Sequence, residues 1–259
     1  MTALESALRH DRFWVCGALL LAVLLCWAWI VPMARDMYGP MDGASAWMAR
    51  GSGSAAYPAL LFAMWLVMMA GMMLPSAAPT LLLYAAVIRK STQGARTAAH
   101  LYAFAAGYVL AWGGFSLAAT LAQLWLDRSL QLSAMLQLRS ASLGGAVLLA
   151  AGAWQLTPWK QACLGSCRAP AAFIAGHWRP GVGGALHMGL VNGGFCLGCC
   201  WALMLLLFVG GVMNLGWIAL LTVLVLLEKL APYGLLGARL VGLVLLLCGA
   251  ALLLHGRGG

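Results

Sequence analysis

Apolar runs too long for the interior of a small soluble domain recur along this chain, and they settle its class before any single residue is weighed. Phe13 to Met33 is the first. A spanning helix needs about 20 apolar residues to cross roughly 30 Å of hydrocarbon, and several runs meet that length. With 64% of the 259 residues apolar, 8% charged and a mean hydropathy of +0.93, a water-soluble globular domain is excluded. The runs do not alternate, which excludes a closed β-barrel. The expected fold is therefore all-α, a single polytopic transmembrane helix bundle of about seven spans with glycine-rich, tightly packed helices. The spans are read at 13–33, 58–88, 98–126, 142–157, 182–208, 216–231 and 234–255.

Charge sets the expected orientation. Arg9 and Arg12 precede a first run too long for a signal peptide and lacking a small-residue cleavage site, so it reads as an uncleaved span. A cytoplasmic N-terminus puts Arg9, Arg12, Arg89, Lys90, Arg96, Lys160, Arg168, Arg179, Lys229 and Arg239 inside. Only Arg35, Arg50, Arg128, Arg139 and Arg257 fall outside, as the positive-inside rule requires. The net charge of +9 is thus a topology signal; no nucleic-acid partner is expected, and the lipid bilayer is.

Within this frame MGLVNGGFCLGCCWALM, residues 188–204, combines an apolar span with crowded sulfur. Residues three and four apart share a helix face, so Cys196, Cys199 and Cys200 cluster, and Asn192, Met188 and Met204 extend the row. Thiolates and thioethers select soft ions such as Cu(I) and Zn(II). Asn192-Gly193-Gly194 is a place where the helix could unwind and offer carbonyls to an ion. Gly189 with Gly193, and Gly194 with Gly198, are pairs suited to close helix contact.

A second sulfur group lies in 58–88, where Met64, Met68 and Met72 form an i+4 row beside Met69 and Met73. The row fits thioether ligation and core packing equally. Pro75 and Pro79 are expected to break or kink this stretch. A third group is the basic loop 157–181, where Cys163 and Cys167 could chelate if their turn is helical, with His177 downstream. At 1.5 Å per residue, Cys196 to Cys200 lie roughly 20–27 Å from the inner start of their span, and Met64 to Met72 roughly 9–21 Å from the outer start of theirs. His187 falls between the loop thiols and the central cluster. Cys16, Cys26 and Cys248 read as packing residues, His100 as solvated or interfacial, 127–141 as a polar interfacial helix, and Glu228 with Lys229 as an interfacial ion pair.

MMLPSAAPTLLLYA, CLGSCRAP, MGLVNGGFCLGCCWALMLLLFVGGVMNL and EKLAP together resemble a bacterial family of uncharacterised proteins described as predicted metal-binding integral membrane proteins, over about residues 58–245. The resemblance implies a multi-pass protein of the bacterial inner membrane. Its pattern carries over to Met72, Met73, Pro75, Cys163, Cys167, Cys196, Cys199, Cys200, Met204 and Glu228. Where this chain has Asn192, the family commonly has histidine.

The expected function is binding of a soft metal ion, copper favoured and zinc possible, by intramembrane Cys and Met ligands in metal transport, sensing or delivery. The candidate ligands are Cys196, Cys199, Cys200, Met64, Met68, Met72, Cys163, Cys167, His187 and Met204. Another membrane subunit or a metal chaperone would be the partner. Two alternatives stay open: a non-catalytic assembly or anchoring subunit, and a membrane thiol–disulfide oxidoreductase. The chain has no phosphate loop and its few carboxylates are dispersed, so an enzyme is not expected.

Overall fold

A computed structural model of the chain describes residues 3–39, 43, 45–49, 56–90, 97–129, 132 and 136–255. Asp42, Arg50, Arg96 and Arg257 lie outside the described residues, as do the side chains of Arg9 and Arg12. The architecture is all-helical, as expected. In chain order the helices are α1 (Ala3–Asp36), α2 (Ala46–Ala49), α3 (Tyr57–Lys90), α4 (Thr97–Arg128), α5 (Ala141–Leu156), α6 (Pro158–Arg168), α7 (Pro170–His177), α8 (Gly181–Leu205), α9 (Leu207–Gly210), α10 (Leu215–Leu230) and α11 (Gly234–His255). Among the described residues, five stretches are long and apolar enough to cross a membrane: Phe13–Asp36, Tyr57–Lys90, Thr97–Arg128, Gly181–Gly210 and Gly234–His255. The helices α5 and α10 are apolar but only 16 residues each, roughly 24 Å long.

Polar side chains set where the short helices start. Ser140, Thr157 and Asn214 each accept a backbone N–H three residues on, at 3.2 Å, and so cap α5, α6 and α10. Thr157 also donates to the carbonyl of Trp154 at 2.7 Å, so one side chain closes α5 and opens α6. Gly211, at φ 95°, supplies the left-handed turn between α9 and α10.

Glycine lets two helix pairs approach to backbone contact. A Cβ on Gly189 would strike the carbonyl of Phe104, and one on Gly107 would strike that of Leu186, so α4 and α8 touch through their main chains. On α5 and α11, a Cβ on Gly152 would lie 2.8 Å from the Gly242 carbonyl, and one on Gly249 would lie 3.0 Å from that of Gly145. Gly193 takes part in the α4–α8 contact as the spacing suggested; Gly194 faces open space, and Gly198 receives the Cys163 sulfur instead of a helix backbone.

Several expectations are corrected. The stretch 58–88 is one continuous helix that runs through Pro75 and Pro79 without a break; each proline removes only a single N–H, and the surrounding turns are buried, with Ser76 and Tyr108 donating to the nearby Met73 carbonyl at 2.8 and 3.0 Å. Likewise α8 runs unbroken through Asn192-Gly193-Gly194, held by its contact with α4. Within 127–141, the residues described after Ser129 and before Ala141 are not helical; Leu132 bridges Leu138, whose N–H donates to Phe208 O at 2.8 Å. The loop 157–181 folds into α6 and α7, both packed on α8. His100 is buried rather than solvated. Cys26 packs against Gly71, whereas Cys16 and Cys248 are exposed on an apolar exterior.

The glycine contacts predict a contrast between two substitutions. Gly152→Leu is expected to force α5 from α11 and lower stability by about 1–3 kcal/mol, while Gly194→Ala, facing open space, leaves stability unchanged or slightly raised. Thermal unfolding of the detergent-solubilised protein, followed by circular dichroism, checks both.

Candidate metal centre

The sulfur groups of α8 and α6 meet in the bundle. Cys196, Cys199 and Cys200 are fully buried on one face of α8. Cys199 Sγ lies 3.2 Å from Cys200 Sγ and 3.1 Å from the Cys196 carbonyl, and Cys196 and Cys200 share a hydrogen bond. The capped, proline-started α6 is helical through Cys163 and Cys167, so both thiols face α8. Cys163 Sγ fills the space at Gly198, and Cys167 hydrogen-bonds Cys199. Burial pushes the Cys163 thiol up from its ordinary range.

The methionine row follows from the register of α3 against α8. Trp65 packs at a tilt against Phe208 with centroids 5.2 Å apart, while Ser76 and Cys196 both accept from Lys229. Those two levels make the helices antiparallel and bring Met72 level with Cys200, Met68 with Met204 and Met64 with Phe208. All four methionines are wholly buried. Met68, Met72 and Met204 thus sit at the depth of the thiol cluster, and Met64 lies a turn beyond it. His187 does not join: nine residues before Cys196 it is on the opposite side of α8 and roughly 13 Å away along the axis. His177 is tied to its own helix, its Nδ1 3.1 Å from the Phe173 carbonyl. Asn192 is buried one turn before Cys196 on the same face. Among the described residues, no group of three or more His, Cys, Asp or Glu side chains is arranged to hold a metal ion.

The polar surroundings correct the reading of Glu228 and Lys229. They do not pair with each other. Glu228 accepts from Lys160 Nζ at 2.5 Å and Gln155 Nε2 at 2.7 Å, all three side chains being buried. Lys229, 5% exposed, points the other way and donates to Cys196 Sγ at 2.8 Å and Ser76 Oγ at 3.0 Å. Tyr108 OH lies 2.9 Å from the same sulfur. Arg168 donates to the Glu228 and Pro232 carbonyls at 2.7 and 3.1 Å, satisfying the end of α10. Adjacent helical residues do not face each other, so Glu228-Lys229 signalled two separate partners; the sequence reading missed that signal, and with it Lys160, Gln155, Ser76 and Tyr108.

A family model described as "PpoB2: Copper chaperone" matches residues 62–252, most of the chain and every residue of this centre. The chain belongs to the PpoB2 copper chaperone family. No curated protein and no solved structure matches it. For this PpoB2 family member, membership points to a copper-related role, and copper as Cu(I) is among the soft ions that thiols and thioethers select.

The buried pair predicts an asymmetric mutational response. Lys160→Met strands the Glu228 carboxylate and is expected to cost about 3–5 kcal/mol. Adding Glu228→Gln should recover much of that loss, as a double-mutant cycle on thermal or denaturant unfolding would register.

Proposed function

We propose that this chain is an integral protein of the bacterial inner membrane that takes Cu(I) as cargo and hands it to a partner protein. The observation that carries the reading is the meeting of two thiol sets. Cys163 and Cys167 on α6 touch the α8 run at Gly198 and Cys199. In this reading the α6 pair receives the ion, and two thiols of the Cys196, Cys199 and Cys200 run hold it in the bundle core. Cu(I) is satisfied by as few as two soft donors, so a three-thiol ring is not required; the thioethers of Met72, Met68 and Met204, neutral and at the same depth, complete the coordination. Exchange between neighbouring sulfurs moves the ion without releasing it to water.

The five long apolar stretches and the large apolar side chains left on the exterior, such as Phe13, Leu20, Leu121 and Leu247, support a lipid-facing surface. The excess of basic residues at alternate loops supports a cytoplasmic N-terminus. That orientation places the α6 thiols nearer the cytoplasmic side than the methionine row, so the cargo is handed on by another membrane subunit or a metal chaperone that meets either end.

Metal analysis of detergent-purified protein loaded anaerobically with Cu(I) tests the reading. The wild type is expected to carry near-stoichiometric copper. A folded Cys196/Cys199/Cys200→Ser variant should lose it, and a Cys163/Cys167→Ser variant should reach the same final content more slowly. A wild type that stays empty after loading would sink the proposal.

A further inference from the structure

The cysteine cluster holds a buried cation of its own. Among the described residues, Lys229 is the charged side chain that bonds the thiols. From α3 it meets Ser76, from α4 the phenol of Tyr108, and from α8 Cys196 with Cys199 and Cys200 behind it. Glu228, the one acidic residue after Asp127 in the sequence, is occupied by Lys160 and Gln155 on the other side of α10. Among the described residues no carboxylate pairs with the Lys229 ammonium, so its natural counter-charge is sulfur.

We propose that Lys229 makes this centre select monovalent soft ions over divalent ones, by holding one fixed positive charge against the thiolates that bind the metal. The inference rests on the copper-binding reading above and refines it. A thiolate sulfur has lone pairs enough to accept the ammonium's hydrogen bond and still bind a metal, so Lys229 is an outer partner and not a competitor for the site.

The discrimination is a matter of charge balance in a medium that tolerates no surplus. A monovalent ion held by two thiolates, such as those of Cys196 and Cys200, forms a complex with one negative charge, which Lys229 neutralises. A divalent ion on the same two thiolates is itself neutral and leaves the ammonium unbalanced in the apolar interior, where an uncompensated charge is strongly disfavoured. A third thiolate would restore balance for the divalent ion, but among the described residues no three His, Cys, Asp or Glu side chains are grouped so as to hold a metal ion. The thioethers of Met68, Met72 and Met204 carry no charge and cannot correct the deficit. Specificity of this kind works by penalising the wrong ligand as much as by favouring the right one.

The test loads purified full-length protein anaerobically with equimolar Ag(I) and Cd(II), soft ions that differ in charge, and separately with Cu(I) and Zn(II). Wild type and Lys229→Arg should take Ag(I) and Cu(I) and refuse Cd(II) and Zn(II). In folded Lys229→Met the ratio of divalent to monovalent ion bound should rise by about tenfold or more, each tenfold being a difference of about 1.4 kcal/mol in relative affinity. Ser76→Ala, which removes a hydrogen bond but no charge, should keep the wild-type ratio. An unchanged ratio in Lys229→Met overturns the inference while leaving copper binding intact. Should that variant not fold, wild type decides alone: uptake of Cd(II) equal to that of Ag(I) overturns the inference. A wild type that takes no ion defeats the copper reading itself.

Discussion

The ion pair between Lys160 and Glu228 is the interaction on which the centre depends. A charge taken out of water is tolerated only when paired and hydrogen-bonded, and Glu228 meets both conditions through Lys160 of α6 and Gln155 of α5. This pins α10 to the α5–α6 corner. Because Lys229 follows Glu228 by one residue, its side chain leaves α10 in a different direction and arrives at Cys196. One polar anchor therefore fixes the rotation of α10 and aims the second lysine at the thiols. Arg168 reinforces the same corner by bonding the Glu228 carbonyl in the last turn of α10 and the Pro232 carbonyl just after it.

Close packing does the rest of the positioning. Where lipid surrounds a helix there is little hydrophobic drive between helices, and tight approach through small residues takes its place. Gly107 against Gly189 draws α4 onto α8 so that Tyr108 reaches Cys196. Gly198 leaves room for Cys163, which lets α6 lie against the cysteine run rather than stand off from it. Glycine serves here to admit a cysteine side chain as well as helices.

The helical class, the long apolar elements and the candidate thiols were all legible in the chain, because apolar run length and i+3/i+4 spacing are local properties. The bounds of α11 agree with the expected span, and the α8 cysteines share a face as their spacing requires. What was not legible depended on partners distant in sequence. Pro75 and Pro79 promised a break or a kink, and the helix runs on unbroken through both, among side chains buried against other helices. His187 was placed by depth alone, without its direction around the helix, and so was grouped with sulfurs it does not face. Lys160 read as one more basic loop residue, since nothing local shows that its loop folds inward to meet Glu228.

Thr157 closes α5 with its hydroxyl hydrogen and opens α6 with its hydroxyl oxygen, and the indole of Trp154, three residues earlier, donates to the carbonyl of Gly198 at 3.1 Å. The two helices consequently turn as the arms of a single stiff elbow. Lys160, the partner of Glu228, and Cys163, which fills the space at Gly198, both stand on α6, so this joint ties the buried ion pair and the backbone of the cysteine run into one rigid corner.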